Sequence, residues 1–207
     1  MTSNRPPPFF VGEHPALDFL NTTATPRGAL VEWLVDGKDL IDWLELAGAI
    51  EPAAAARFRE FDGDTLYEVA RDAREFRRWL RGFITARMGK PLRATSEEIA
   101  PLNALLAGDS SFQRVEVAGP GSDDECLLQL RKVYRWEDPK ELLQPIAEAT
   151  TDLICNQDFR LIQSCEGSTC SLLFIARTKG RARRWCSMAI CGNRAKVAAH
   201  RARRGVE

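Results

Sequence analysis

Four cysteines near the end of the chain are the residues whose type and spacing predict the clearest chemistry. They fall in two pairs, Cys165 with Cys170 and Cys186 with Cys191, and fifteen residues separate the pairs. Four thiolates fill the tetrahedral shell that zinc prefers in structural sites, and two close pairs joined by a segment of this length are the usual sequence form of such a site. The pattern therefore predicts one structural zinc ion.

Two disulfides, or four unrelated buried thiols, are the alternatives for these cysteines. Residues 1–8 are polar and Pro-rich and contain no apolar segment typical of a secretory signal, which predicts a cytoplasmic chain. Thiols stay reduced in that compartment, where paired cysteines are more often metal ligands. Cys126 and Cys155 lie outside the pattern, each in an apolar run, and we expect both to be inert core thiols.

The residues between the two pairs indicate how the cysteines are positioned. Leu172–Ile175 is a short apolar run, and a turn signal follows at 178–180. The first pair is therefore expected at a hairpin, and the second pair at the start of a helix. Four cysteine ligands leave no open position for substrate or water, so the predicted metal is structural.

The distribution of charge predicts a polyanionic partner for this end of the chain. Residues 1–166 carry 19 basic and 28 acidic side chains, whereas residues 167–207 carry 10 basic side chains and one acid. Such asymmetry is typical of nucleic-acid binding, to DNA or RNA. The alternative is a basic tail that docks on the acidic part of the same chain or on a partner protein. The predicted nucleic-acid contacts are Arg194, Lys196, Arg201 and Arg204 on the final helix, with Arg181, Arg183 and Arg184 adding phosphate contacts.

Small side chains recur along the final helix at i, i+3, i+4 and i+7. They are Ala195, Ala198, Ala199 and Ala202. This spacing predicts that the alanine side of the helix packs closely against the zinc site or the larger part of the chain.

The region before the cysteines is predicted to be mostly helical, with one β-hairpin near 111–134. Helices are expected around 40–47, 52–61, 64–88, 95–107 and 139–156. In the longest of these, six arginines lie opposite the apolar stripe, and acids interleave with them. That mixture favours a solvated face over a second nucleic-acid surface. No apolar run approaches the length of a membrane span.

The fold class predicted from these elements is mainly α with a small β-hairpin (α+β). A helical domain over 1–157 is joined to a treble-clef-like zinc finger over 158–207, and the short boundary predicts that the two pack together. Sequence signatures of catalysis are missing, and only two histidines occur in the chain, so an enzyme is not expected. His14, Asp18 and Asn21 lie close together near the start. They are interpreted as turn caps and partners of buried backbone groups, or as the lining of a small-molecule pocket.

The motifs at both ends resemble a known family. The run W-C-S-M-A-I-C-G-N-R at 185–194 is similar to the signature of the bacterial CGNR zinc-finger proteins, and Cys165 and Cys170 match that family's first ligand pair. The run L-D-F-L-N-T at 17–22 resembles the start of the ABATE domain that precedes the finger in that family. The resemblance implies a stress-induced transcriptional regulator with zinc on all four cysteines.

Two functions of different class follow. One is a DNA-binding regulator whose N-terminal domain senses a small-molecule effector or mediates dimerisation, as in a homodimer. The other is a zinc-stabilised protein-interaction module that makes no contact with nucleic acid. Salt dependence of binding to duplex DNA separates the two, because phosphate contacts release counterions.

Overall fold

The computed structural model describes residues 5–120, 126–177 and 183–204, with side chains for all of these except 118–120, 126, 127 and 202–204. As predicted, the described part is mainly α with small antiparallel strand pairs and a cysteine cluster at its C-terminal end. The helices, in chain order, are α1 (Pro15–Leu20), α2 (Gly37–Leu46), α3 (Pro52–Phe58), α4 (Gly63–Thr85), α5 (Ala100–Leu106), α6 (Gln144–Asn156) and α7 (Asn193–Arg204).

Within the described ranges, the strands form three separate antiparallel pairs. Strands β1 (Thr23–Ala24) and β2 (Val31–Glu32) make the first, β3 (Phe112–Pro120) and β4 (Cys126–Val133) the second, and β5 (Ile162–Ser164) and β6 (Leu173–Ile175) the third. The predicted hairpin near 111–134 is the β3–β4 pair, and residues 121–125 of that prediction lie outside the described residues.

Helix α4 is the element around which the N-terminal region packs. The Asp62 side chain caps it by accepting a 2.8 Å hydrogen bond from the Thr65 backbone N–H, which satisfies one of the donors left over at a helix start. The apolar stripe buries Leu66, Leu80 and Ile84 in the main core together with residues of α1, α2 and α6. Helix α4 thus presents its predicted apolar face to the core.

Arg77 and Arg81 of α4 depart from the predicted solvated face, whereas Arg71 and Arg78 are exposed as predicted and Arg71 pairs with Asp72 at 3.0 Å. Arg77 is only 4% exposed, and its guanidinium donates to the Thr22 hydroxyl at 2.7 Å and pairs with Glu32. Arg81 donates to the backbone oxygen of Leu20 at 2.6 Å. Both side chains turn inward because they satisfy polar groups at the end of α1 and beside the β1–β2 pair.

Two predicted helices begin later than the sequence indicated. Helix α5 starts at Ala100 rather than near 95, because Thr95 and Glu98 hydrogen-bond to each other's backbone N–H groups in a preceding turn. The helix predicted from Pro139 is a 3₁₀ turn over Pro139–Leu143 that continues directly into α6. Both differences leave the order of elements unchanged.

The cysteine-bearing segment shares a core with the N-terminal region. Ile162, Leu173 and Ile175 of β5 and β6 belong to the main core cluster. A second cluster places Trp33 and Phe174 beside three buried cysteines. The predicted packing of the two parts therefore takes the form of shared apolar clusters.

Candidate metal centre

The first cysteine pair lies in the turn that joins β5 to β6. The Cys165 N–H donates to the Leu172 backbone oxygen at 2.9 Å, which continues the strand pairing beyond Ser164. The Cys170 N–H donates to the Gly167 backbone oxygen at 2.9 Å and closes a tight turn. A Cβ at Gly167 would lie 3.0 Å from the Cys191 sulfur, so the backbone approaches the cluster where only glycine fits without a shift.

The second pair lies at the entrance to α7. A π turn over Met188–Gly192 precedes the helix, and the Ser187 hydroxyl caps that turn by accepting a 2.9 Å hydrogen bond from the Ile190 N–H. The Cys191 N–H donates to the Ser187 backbone oxygen at 3.1 Å. This local hydrogen bonding brings Cys191 back over Cys186, so the predicted placement at a helix start is what the structure contains.

The four sulfur atoms form one compact cluster. All of them lie within 4.8 Å of one another, and the Cys170 and Cys186 sulfurs are 3.9 Å apart. Four sulfurs around a tetrahedral zinc ion at ~2.3 Å are about 3.8 Å apart, so the cluster has the dimensions of a zinc–tetrathiolate site. None of the described cysteines forms a disulfide, which removes that alternative.

Electrostatics explains why such a cluster needs a cation. The hydrogen-bond contact between the Cys170 and Cys186 sulfurs lowers the pKa of the Cys170 thiol, while the same contact and burial raise the pKa of the Cys186 thiol. Buried thiolates this close repel one another, so they cannot all ionise alone. A divalent cation removes that repulsion, and a zinc ion takes four thiolates in this geometry.

Hydrogen bonds from outside the four ligands orient the sulfurs. The Cys165 sulfur accepts from the backbone N–H groups of Cys186 at 3.2 Å and Gly167 at 3.4 Å. The Arg194 guanidinium donates to the Cys191 sulfur at 3.0 Å. Donors of this kind stabilise the thiolate form of a ligand and fix its direction. The four cysteines are therefore suited to hold one structural zinc ion, as predicted.

Fold and site together define a zinc-finger protein with a helical N-terminal domain. Residues 13–157 match the ABATE family, described as a putative stress-induced transcription regulator, and residues 161–204 match the CGNR zinc finger. The chain belongs to the ABATE family and carries the CGNR finger after it, the arrangement that the sequence motifs implied. A search of curated proteins found no similar sequence. Neither family description is that of an enzyme.

His14, Asp18 and Asn21 have their polar groups engaged within the protein. His14 caps α1 through Nδ1, which accepts from the Ala16 N–H at 3.2 Å, and its Nε2 lies 2.8 Å from an Asp152 oxygen. Asp18 accepts from the Gly12 N–H at 2.7 Å. The structure places the three around α1, with His14 as a cap and Asp18 and Asn21 as partners of backbone groups, which corresponds to the first of the two interpretations.

Asn21 links α1 to the finger. Its amide donates to the Leu173 backbone oxygen and accepts from the Leu173 N–H, both at 2.9 Å, so the side chain pairs with β6 as a neighbouring strand would. We expect Asn21→Ala to lower the free energy of unfolding by about 2 kcal/mol, because two buried backbone groups lose their partners. Chemical denaturation measures this. Asn103→Ala, at an exposed position, is the control, and equal losses in both variants would contradict the prediction.

Asp18 makes stability depend on pH. Burial raises the pKa of its carboxyl from 3.8 to about 6. Because the folded pKa lies above the unfolded value, this carboxyl favours the folded state more as pH falls from about 7 through 6 towards 4. Asp18→Asn keeps the acceptor for the Gly12 N–H but cannot ionise. We expect the free energy of unfolding of this variant, relative to that of the wild type, to increase by about 1–2 kcal/mol when the pH is raised from 4.5 to 7.5, a value reduced to account for the partial exposure of Asp18. Urea unfolding of both proteins measures the difference, and a pH-independent difference would contradict it.

The predicted nucleic-acid residues fall into four groups. Arg183 and Arg194 have partners inside the protein: Arg183 pairs with Glu13 at 3.0 Å, and Arg194 donates to the Pro26 backbone oxygen at 2.5 Å. Arg184 is exposed and pairs with Glu166 at 2.5 Å. Lys196 and Arg201 are exposed on α7. Arg181 and the side chain of Arg204 lie outside the described residues.

Two further expectations about this part of the chain need correction. Ala198 and Ala199 are exposed, and only Ala195 is partly buried, so the alanine stripe is not packed into the core; Ala202 lies outside the described side chains. Cys155 is exposed rather than buried, because it falls on the outer side of α6 near its end. The side chain of Cys126 is not among those described.

Sequence reasoning missed the role of Arg183. Its guanidinium lies 4.2 Å from the centre of the Phe174 ring and donates to the Val11 backbone oxygen at 2.9 Å. It thereby joins the zinc finger to the segment before α1. No spacing in the sequence distinguishes it from the neighbouring arginines, because its partners are 172 and 170 residues away along the chain.

Proposed function

We propose that this protein binds nucleic acid through the basic surface of its zinc finger and acts as a transcriptional regulator. The observation that carries the proposal is the basic helix α7, which begins at the zinc site and contains no acid. Zinc holds the start of that helix in place, so its charges are presented on a rigid base. A positively charged helix on a small rigid module is the usual electrostatic footprint of nucleic-acid binding.

The exposed cations support this proposal. Among the residues that the structure describes, Lys196 and Arg201 form no ion pair, and both are exposed. Residues 167–207 carry ten basic side chains against one acid. Phosphate contacts from such side chains are gained by releasing counterions from the nucleic acid. We therefore propose Lys196 and Arg201 as the principal contacts, with Arg184 as a further contact.

Arg183 and Arg194 are left out of the proposed interface. Each has hydrogen-bond partners that it would lose by turning outward, and Arg194 supports a zinc ligand. Arg181 and Arg204 stay predicted contacts from the sequence alone. The interface proposed from the structure thus contains fewer residues than the one predicted from the charge distribution of the sequence.

The N-terminal domain is proposed to sense an effector or to mediate dimerisation. The hairpin β3–β4 supports dimerisation because one of its faces is apolar and exposed. The side chains on that face are 60–68% exposed and belong to Val115, Val117, Leu128 and Leu130. An isolated two-stranded hairpin is marginal in water, so a partner that covers this face would stabilise it. Because the N-terminal domain and the finger share apolar clusters, effector binding or dimerisation in the domain would also change the packing of the finger.

The alternative is a zinc-stabilised protein-interaction module. The ion pair between Arg183 and Glu13 favours this alternative, because it shows that part of the basic charge of the finger is used in contacts with other protein groups. Titration of labelled duplex DNA at several salt concentrations separates the two, because only phosphate binding gives a steep linear fall of log K with log salt. No helix in the described ranges is long and apolar enough to cross a membrane. We propose a cytoplasmic location, which fits a transcription regulator.

A further inference from the structure

A cavity in the ABATE domain lies away from the zinc site. It has a volume of about 710 Å³ and is bounded by α4, α5 and the 3₁₀ turn before α6. Pockets that bind small organic ligands usually measure about 300–1,000 Å³ and combine apolar walls with a few placed polar groups. Phe76, Trp79 and Leu105 form apolar walls here. The cavity therefore has the size and lining of a small-molecule site.

One buried acceptor in its wall has no partner. Gln144 is 4% exposed, and its Oε1 receives no hydrogen bond from any described group. Its Nε2 donates to the Leu105 backbone oxygen at 3.0 Å, which fixes the orientation of the amide and leaves Oε1 as the unused side. An unpaired buried acceptor costs about 1–3 kcal/mol, so a donor that reaches it would be favoured.

The charge around the cavity points to a cation. Four carboxylates line it, Asp72, Glu75, Asp138 and Glu141, against a single lysine, Lys140. Asp72 is paired with Arg71 at 3.0 Å, which leaves Glu75 and Glu141 as the carboxylates of interest. Glu141 is 6% exposed and accepts from the Ser110 hydroxyl and the Glu137 N–H, but within the described ranges no lysine or arginine forms an ion pair with it. A buried carboxylate is expensive unless its charge is compensated.

The aromatic walls match the same chemistry. The rings of Phe76 and Trp79 lie 5.0 Å apart, and Trp79 is held in place by donating from Nε1 to the Glu98 backbone oxygen at 3.1 Å. Aromatic faces attract cations, and tryptophan does so most strongly. An unused acceptor, an excess of carboxylates and fixed aromatic rings are thus complementary to one kind of ligand.

We propose that this cavity binds an organic cation, an amine with an aromatic or aliphatic body. The ammonium group lies against the carboxylates of Glu75 and Glu141, and the apolar body lies against Trp79 and Phe76. An N–H donor reaches Gln144 at the cavity wall. This site replaces the His14, Asp18 and Asn21 group as the effector pocket, and it rests on the proposed function only for its effect on nucleic-acid binding.

Isothermal titration calorimetry of the zinc-loaded full chain tests the proposal with four probes. Three share an indole ring and differ in charge: tryptamine is cationic, tryptophol is neutral and indole-3-acetate is anionic. The fourth, phenethylamine, is a smaller cation. We expect both amines to bind, and tryptamine to bind at least about tenfold more tightly than tryptophol or indole-3-acetate, because only the amines meet the carboxylates with opposite charge. In ¹⁵N NMR spectra, tryptamine should shift the side-chain signals of Gln144 and Trp79.

Three variants locate the binding. Glu75→Gln, at an exposed position in the cavity wall, should weaken tryptamine about three- to fivefold. Asp64→Asn removes one carboxylate charge from an exposed position on the same helix that does not line the cavity, and it should have no effect. Ala104→Trp should fill the cavity and abolish binding.

The proposal is overturned if neither amine binds, if tryptophol or indole-3-acetate binds as well as tryptamine, or if Ala104→Trp still binds tryptamine. Its failure is distinguishable from failure of the proposed function, because these titrations contain no nucleic acid. If tryptamine binds as expected but leaves DNA affinity unchanged, the cavity site stands and effector sensing fails.

Discussion

Cys186→Ser will release the zinc ion and unfold the part of the finger that depends on it. Cys186 is fully buried among the other three sulfurs, and a serine oxygen replaces neither its charge nor its size. Binding free energy at a structural zinc site is also folding free energy. The zinc content, measured by metal analysis, should therefore fall from about one ion per chain to near zero after dialysis against a chelator.

Loss of order in Cys186→Ser should be confined to residues near the metal. Ile162, Leu173 and Ile175 are buried in the main core, so β5 and β6 and the helices before them should survive. Amide NMR signals of α7 and of the loop over 165–172 should collapse, while those of α4 stay dispersed. Cys155→Ser is the matched control, since Cys155 is exposed and outside the cluster. Retention of a full zinc equivalent by Cys186→Ser would overturn the assignment.

Replacing both Lys196 and Arg201 with alanine should weaken binding to duplex DNA about 100-fold at 50 mM salt, because each phosphate contact contributes about tenfold there through counterion release. The slope of log K against log salt should become shallower by about 1.8, and by about 1.4 for single strands. Fluorescence anisotropy with a labelled random-sequence duplex, and with single-stranded RNA, measures both quantities. Zinc content should not change, because neither side chain touches a ligand.

The matched control is Arg57→Ala with Arg78→Ala, which removes two exposed positive charges from the N-terminal domain. It should leave both affinity and slope nearly unchanged. Equal weakening by the two double variants would mean that net charge, rather than α7, determines binding. Wild-type protein that binds neither DNA nor RNA at low salt would leave the protein-interaction module as the function.

The zinc site was predictable from the sequence because its signal is local. Cys165 and Cys170 lie five residues apart, as do Cys186 and Cys191, and short segments of chain bring each pair together. The helices were predictable for the same reason, since apolar spacing within one element determines its buried side. The residue at which a helix starts was less predictable. At Thr95, side-chain hydrogen bonds favour a turn over the first turn of α5.

Contacts between distant segments could not be predicted. Arg77 lies in a run of arginines and acids that is typical of a solvated face, yet it is buried because residues 45 and 55 positions earlier supply its partners. The cavity was missed for a similar reason. Its acceptor, Gln144, lies in a helix far along the chain from Asp72 and Trp79, and nothing in its local sequence indicates an unpaired amide.

The hydrogen bonds from Asn21 to Leu173 and from Ile175 to the Gly12 backbone oxygen have a consequence for how such chains diversify. A finger acquired by gene recombination at position 157 would arrive without the partners of β6 and Phe174. It would expose apolar surface until compensating changes accumulated in α1 and the segment before it. Fingers in this family should therefore be inherited together with their N-terminal domains, and chimaeras of two relatives should fold only when residues 9–22 come from the same parent as the finger.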